Sequence, residues 1–256
     1  MISCYTIGSN GRLGNQMFQL AAVYGIAKKK NTSFSFSPGR LYEAFTLEGI
    51  QPSELSQNQE YLFREPAFSF FEPIFTIPDR TEIHGYFQSE RYWQHVKEDI
   101  VRAFKVKDDH IQTIPRDLVD FCSDSTFVHV RRGDYLATNG FHPTFDEEFY
   151  VNAAGEPGKV SIFSDDVVWC QGLTKKFKDR GFEPCLVSSL GLSDIQEFYL
   201  MTICRGAVIS NSTFSWWTAY LGPHQRNQRI VAPKKWFGES GHKDTQDVYA
   251  EGWILL

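Results

Sequence analysis

The stretch Thr126-Phe127-Val128-His129-Val130-Arg131-Arg132-Gly133-Asp134-Tyr135 decides how this chain is read. Thr, Phe and Val favour a strand, and Ser123, Asp124 and Gly133 flank it with turn residues. A strand cannot hide guanidinium groups in its core, so Arg131 and Arg132 are expected where it emerges. In α/β proteins ligands bind just outside the carboxyl ends of the strands. Arginine offers a planar fork of donors that fits phosphate and stays charged at any working pH. The stretch therefore reads as a diphosphate clamp. A solvated arginine pair with Asp134 as its ion-pair partner is the plain alternative. The adhesive tripeptide Arg132-Gly133-Asp134 is discounted as a chance match.

Two further stretches suit the same ligand. Residues 2–7 read as a first strand, followed by Gly8-Ser9-Asn10-Gly11-Arg12-Leu13-Gly14-Asn15-Gln16. From Met17 to Lys30 the pattern is helical, with Phe18, Ala21, Ala22 and Ile26 on one apolar face. A strand, a glycine-rich turn and a helix start make an anion site from backbone N–H groups and the helix dipole. The spacing of Gly8, Gly11 and Gly14 is neither the dinucleotide fingerprint nor a P-loop. A turn that needs glycine only for tightness is the alternative, but Arg12, Asn15 and Gln16 add donors. In the third stretch, residues 206–217, a buried strand at 207–209 runs through Ser210, Asn211, Ser212 and Thr213 into the aromatic helix 216–221. One Ser or Thr would be a helix cap. Four such residues at one junction suit a grip on phosphate.

Between these stretches the chain alternates strand and helix. Residues 82–90 read as a strand and turn, 91–104 as a helix, and 145–154 as a short helix whose Asp146, Glu147 and Glu148 complement its dipole. The run Val160 to Asp166 repeats the motif of a strand ending in polar residues. Asp165 or Asp166 would suit the donor edge of a guanine, and either would also serve as a helix cap. Residues 61–75, rich in Phe and Pro without periodicity, read as a satellite core or the lining of an acceptor groove. The tail, 234–256, reads as irregular. The alternation predicts an α/β protein of two Rossmann-like halves with parallel sheets facing a central cleft, divided as residues 1–125 and 126–256.

Composition narrows the function. With 26 basic and 31 acidic residues the net charge is −5, which argues against bulk nucleic-acid binding. The 256 residues fit one large or two moderate domains, at roughly 100–200 residues per domain. Cys4, Cys122, Cys170, Cys185 and Cys204 are scattered without metal-ligand spacing, which predicts free thiols, no structural zinc and a cytoplasmic setting. No signal peptide or membrane-spanning run is read in the sequence.

Five segments together resemble the α1,2-fucosyltransferases of glycosyltransferase family 11: GRLGNQMFQ (11–19), HGYFQSERYW (84–93), HVRRGDY (129–135), FSDD (163–166) and ISNSTFSWW (209–217). They stand in family order and span most of the chain. The resemblance implies a GT-B-like fold and an inverting, metal-independent transfer of L-fucose from GDP-β-L-fucose to the 2-hydroxyl of a β-galactoside, with no cofactor. The acceptor would be an oligosaccharide or a lipid-linked glycan, so a peripheral contact with a membrane is compatible. Arg131 would hold the diphosphate, with His129 and Asp134 shaping that pocket. Asp165 or Asp166 would meet the guanine. Ser212, Thr213, Phe214 and Ser215 would lie at the phosphates, and Arg12, Gly14, Asn15 and Gln16 at the β-phosphate and fucose. Asp134, His142, Asp146 and Glu148 are the candidates for a general base. The competing expectations are another linkage, another GDP-sugar, or a non-catalytic glycan- or nucleotide-binding module.

Overall fold

The computed structural model describes residues 1–37, 39–54, 59–138, 140–222 and 229–256. The chain folds as two compact units, residues 1–107 with 244–250, and residues 108–243 with 251–256.

The first unit is a four-stranded parallel sheet, ordered β2-β1-β4-β3, from β1 (Ile2–Cys4), β2 (Phe34–Phe36), β3 (Tyr61–Arg64) and β4 (Thr81–His84). Its long helix α1 (Leu13–Lys29) crosses from β1 to β2. The expected single apolar face of α1 is replaced by burial all round, from Leu13 through Ala27 with Asn15 half-buried. Gly25 lets the helix backbone approach its neighbours, because a Cβ there would fall on the Tyr92 carbonyl oxygen and lie 2.8 Å from Trp93 Cα. Trp93 is itself fully buried and meets Phe18 edge-on at 5.5 Å. That docking breaks the helix expected over 91–104 into two 3-10 turns followed by α3 (Lys97–Ala103). The short α2 (Leu41–Ala44) leads to Phe45, which bridges to Val106.

The second unit opens with α4 (Asp108–Ile111) and α5 (Arg116–Ser123), which pack on α8 (Asp194–Ile203). Those contacts draw residues 108–125 into the second unit, so its edge differs from the 125/126 division read in the sequence. Its six-stranded parallel sheet is ordered β10-β9-β8-β5-β6-β7. The strands are β5 (Thr126–Val130), β6 (Lys159–Ser164), β7 (Glu183–Leu186), β8 (Gly206–Val208), β9 (Ile230–Ala232) and β10 (Ile254–Leu255). The tail expected to be irregular thus supplies an edge strand. Helices α6 (Glu147–Ala154), α7 (Val167–Asp179) and α9 (Thr213–Leu221) complete the unit. Central strands bury Phe127, Val128, Val130, Val160, Ile162 and Val208 almost completely. Fully burying such a side chain contributes about 1.5–3 kcal/mol, so these strands read as continuous apolar runs.

Strand order sets the place of the site. From β5 the chain moves outward through β6 to β7, then returns to the other side of β5 as β8. The loops that leave β5 and β8 therefore diverge at a topological switch point, where open parallel sheets bind ligands.

Candidate active site

Arg131 leaves the end of β5 and is fixed by two carboxylates. Its Nη2 donates to Asp134 Oδ1 at 2.5 Å, and its Nη1 lies 3.0 Å from Asp165 Oδ2. Asp165 comes from the end of the adjacent strand β6, and its Oδ1 also accepts from the Arg132 backbone N–H at 2.9 Å. One carboxylate therefore fastens both the side chain and the backbone of the arginine loop. Gly133 makes room for it, because a Cβ there would lie 2.6 Å from Asp165 Oδ2. The Arg131 side chain is 17% exposed against 52% for Asp134, so Asp134 is the looser partner.

Arg132 goes elsewhere. Its Nε donates to Asp166 Oδ2 at 3.2 Å, and its guanidinium lies 4.4 Å from the centre of the Trp169 ring. The other oxygen of Asp166 accepts from Trp169 N at 3.1 Å and caps α7. Of the two aspartates offered for guanine, Asp166 is thus the cap and Asp165 the arginine anchor. Arg132 and Trp169 line a groove of about 420 Å³ with Thr144, Phe145, Asp146, Glu147, Glu148 and Lys176.

On the β8 side, His129 and Ser210 share a 2.9 Å hydrogen bond between Nδ1 and Oγ. Burial, with the Arg131 charge beside it, pushes the His129 pKa down to about 3 and keeps the imidazole neutral. Phe214 packs on His129 at 5.8 Å and on Phe198 at 5.3 Å, which gives it a packing role. The fully buried Ser215 turns its hydroxyl to the Ser212 carbonyl at 3.2 Å. Ser212 stands at the N-cap of α9 without a side-chain cap bond, and Trp216 N is already paired with Ser212 O at 2.9 Å. Thr213, half-buried, opens the helix. Helix geometry leaves the first backbone N–H groups of α9 without intrahelical acceptors. Tyr135 links the two sides, donating its hydroxyl to the Asn211 carbonyl at 3.1 Å while its ring lies 5.5 Å from the Arg131 guanidinium.

The four base candidates separate. His142 stacks on Tyr135 at 4.3 Å, so it joins the Arg131 cluster, and burial holds its pKa below the usual histidine range. Its Nδ1 is buried without a hydrogen-bond partner among the described residues. Asp134 belongs to the same cluster through its ion pair. Asp146 caps α6 by accepting from Phe149 N at 2.9 Å, and Glu148 pairs with Lys176 at 2.9 Å and Arg180 at 3.3 Å. Both have structural work that accounts for them.

In the first unit the glycine-rich turn precedes α1 as read. Gly8 and Gly11 take φ values of +92° and +88°, where L side chains are strained. Arg12 is the exposed N-cap residue and Gly14 is buried in the first helical turn. Gln16 is buried, donating to Gly11 O at 3.3 Å and accepting from Arg40 N at 3.2 Å, so it braces the loop. Asn15 Oδ1 accepts from Gln88 Nε2 at 3.1 Å. Gln88 and Tyr135 carry no role in the sequence reading, and Ser210, read there as part of the phosphate grip, instead pairs with His129. Each lies inside a segment that was read, but its partner is remote in sequence.

A clamped arginine at the switch point of a parallel sheet, beside a hydroxyl-rich helix start, is an arrangement with which α/β proteins can bind phosphorylated ligands. The chain belongs to glycosyl transferase family 11, whose profile matches residues 1–256. It is 26% identical over 284 residues to an alpha-1,2-colitosyltransferase of Escherichia coli, covering 96% of each chain. Against galactoside alpha-(1,2)-fucosyltransferase 2 of Oryctolagus cuniculus it is 28% identical over 242 residues, covering 85% of this chain and 66% of that protein. Its fold resembles the crystal structure of the fucosyltransferase NodZ from Bradyrhizobium, with a TM-score of 0.52 at 16% identity over 90% of this chain and 93% of that one. NodZ, described as an alpha-1,6-fucosyltransferase, has also been solved after soaking with GDP-fucose. The fold class is therefore α/β and GT-B-like, each unit carrying a parallel sheet.

Proposed function

We propose that this glycosyltransferase moves L-fucose from GDP-β-L-fucose to the 2-hydroxyl of a terminal β-galactoside with inversion, forming an α1,2 linkage. The observation that carries the reading is Arg131, set at the switch point by Asp165 beside the start of α9. As the acceptor oxygen bonds to the anomeric carbon, the bond from that carbon to the β-phosphate oxygen breaks and GDP leaves with the electron pair. Negative charge grows on the departing phosphate. An arginine fork and helix N–H groups aimed at that oxygen stabilise the transition state more than the ground state. We assign the donor diphosphate to Arg131 and the first turn of α9, with Ser212 and Thr213, and its β-phosphate and sugar to Arg12, Gly14 and Asn15. The acceptor proton passes to a base, for which His142 and Asp134 remain the candidates, or to the leaving phosphate.

Because the chain itself supplies these positive groups, turnover is expected to survive chelation with EDTA. Loss of activity restored by Mg²⁺ would contradict that. All five cysteines are free thiols, which suits the expected cytoplasmic setting. No described helix is long and apolar enough to cross a membrane.

The similarity to a colitosyltransferase supports a second reading, in which the donor sugar lacks the 3-hydroxyl of fucose. A single assay separates the two: kcat/KM for the GDP-activated forms of fucose and colitose on a β-galactoside acceptor, with linkage analysis of the product. A preference for fucose and an α1,2 product supports the first reading. Release of GDP without any transferred sugar would overturn both.

A further inference from the structure

The segment His84–Trp93 contributes to the family resemblance but has no part in the reaction above. Within the first unit it is tied to the glycine-rich turn. Gln88 is 7% exposed, and its Nε2 donates to Asn15 Oδ1 while its Oε1 has no hydrogen-bond partner among the described residues. A buried amide recovers its lost hydration only through the hydrogen bonds it makes, and the one made here goes to Asn15. Gln19 stitches the same two segments together, donating from Nε2 to Asn10 O at 3.3 Å and Gly85 O at 3.0 Å.

Glu65, just past β3, seats the turn that presents Gln88. Its carboxylate accepts from Tyr86 N at 2.7 Å and from Phe87 N at 3.0 and 3.1 Å. Gly85 admits that carboxylate, since a Cβ there would lie 2.6 Å from Glu65 Oε2. Phe87 is held at φ +52°, a left-handed conformation that costs a large side chain energy unless its surroundings impose it.

An asparagine amide has a donor end and an acceptor end. With Oδ1 facing the Gln88 N–H, Nδ2 of Asn15 turns to Gly11, where a Cβ would lie 2.5 Å from it. With the Gln88 amide oriented as it stands, flipping the Asn15 amide alone would set one N–H against another. The turn thus receives the donor end, the polarity that a phosphate oxygen needs.

We infer that Gln88, seated by Glu65, is a positioning residue that presets the Asn15 amide for the donor substrate. The inference rests on the reading of Asn15 as a donor contact and deepens it. Gln88→Leu removes the N–H. Gln88→Glu replaces it with a carboxylate that would draw Asn15 Nδ2 inward. Both variants are expected to lose about tenfold or more in kcat with GDP-fucose while keeping a near wild-type Tm. In an Asn15→Ala background, Gln88→Leu should add no further loss. In the free protein, the Asn15 side-chain amide signal in NMR should move in Gln88→Glu, a change that a role in bulk packing would not produce.

An unmoved Asn15 signal, or losses that simply add, would overturn the inference. Full turnover by Asn15→Ala would instead remove the reading of Asn15 as a donor contact.

Discussion

Under the proposed donor assignment, Asp134 and the incoming diphosphate would compete for one nitrogen of Arg131. Counting Arg131 and Arg132 against Asp134, Asp165 and Asp166, the cluster carries one net negative charge, which does not favour an anion. Asp165 and Asp166 are committed to the loop and to the cap of α7, so the exposed Asp134 is the carboxylate that can move aside. Asp134→Asn is accordingly expected to tighten GDP binding in calorimetry, and weaker binding would show that Asp134 organises the pocket instead. Arg131→Ala should lower kcat by about 10²–10³-fold in a folded protein, the usual cost of one charge-stabilising donor. Near wild-type turnover would remove the proposed clamp. His142, kept neutral by burial, can accept a proton at pH values where an exposed histidine is already charged. If it is the base, the acid limb of kcat/KM lies below the ordinary histidine range and disappears in His142→Ala. Arginine chemistry made Arg131 legible in the sequence. Its anchor Asp165 was read together with Asp166 as a guanine contact or a helix cap, because nothing in a sequence tells that aspartates 34 and 35 residues beyond Arg131 divide the loop and the cap between them.

At the scale of elements, legibility followed burial. Strands β5, β6 and β8 are covered on both faces, so their apolar runs announce them. Edge strands β3 and β10 are mostly exposed, carry no alternating pattern and escaped. The helix expected over 91–104 was lost to the docking of Tyr92 and Trp93 against α1, a tertiary contact that overrides local periodicity. Two glycines test how tightly the elements are joined. Gly25→Ala would push α1 off the Tyr92 carbonyl and should destabilise the protein by about 1–3 kcal/mol, the usual cost of overpacking, measured by urea denaturation. Gly133→Ala acts at the site, driving the Asp165 carboxylate away from Arg131. It should cut kcat far more than it lowers Tm, and a variant with normal kcat would show that Asp165 can hold Arg131 from another position.

On the scale of the whole molecule, alternating strands and helices sufficed to expect two parallel-sheet α/β units. The edge of the second unit was not legible, because α4 and α5 are too short to show which sheet they cover until they meet α8. Buried titratable groups also make stability depend on pH, in two opposite directions. In the second unit His129 titrates near pH 3 when folded but near its ordinary 6.5 when unfolded, so between these values the unfolded chain binds more protons. Stability then falls as pH drops through that window, by up to about 1.4 kcal/mol per pH unit. Glu65 in the first unit and Glu197 in the second behave oppositely. Burial raises both from 4.5 to about 7, so the folded chain holds the extra proton and stability falls as pH rises across that range. Relative to wild type, Glu65→Gln and Glu197→Gln should gain Tm as pH rises from about 4.5 to about 7, whereas His129→Gln should gain as pH falls from about 6.5 towards about 3. Thermal unfolding across that range decides it. Curves that run parallel to wild type would mean that these groups titrate alike in the folded and unfolded chain, and that their burial is looser than the packing around them implies.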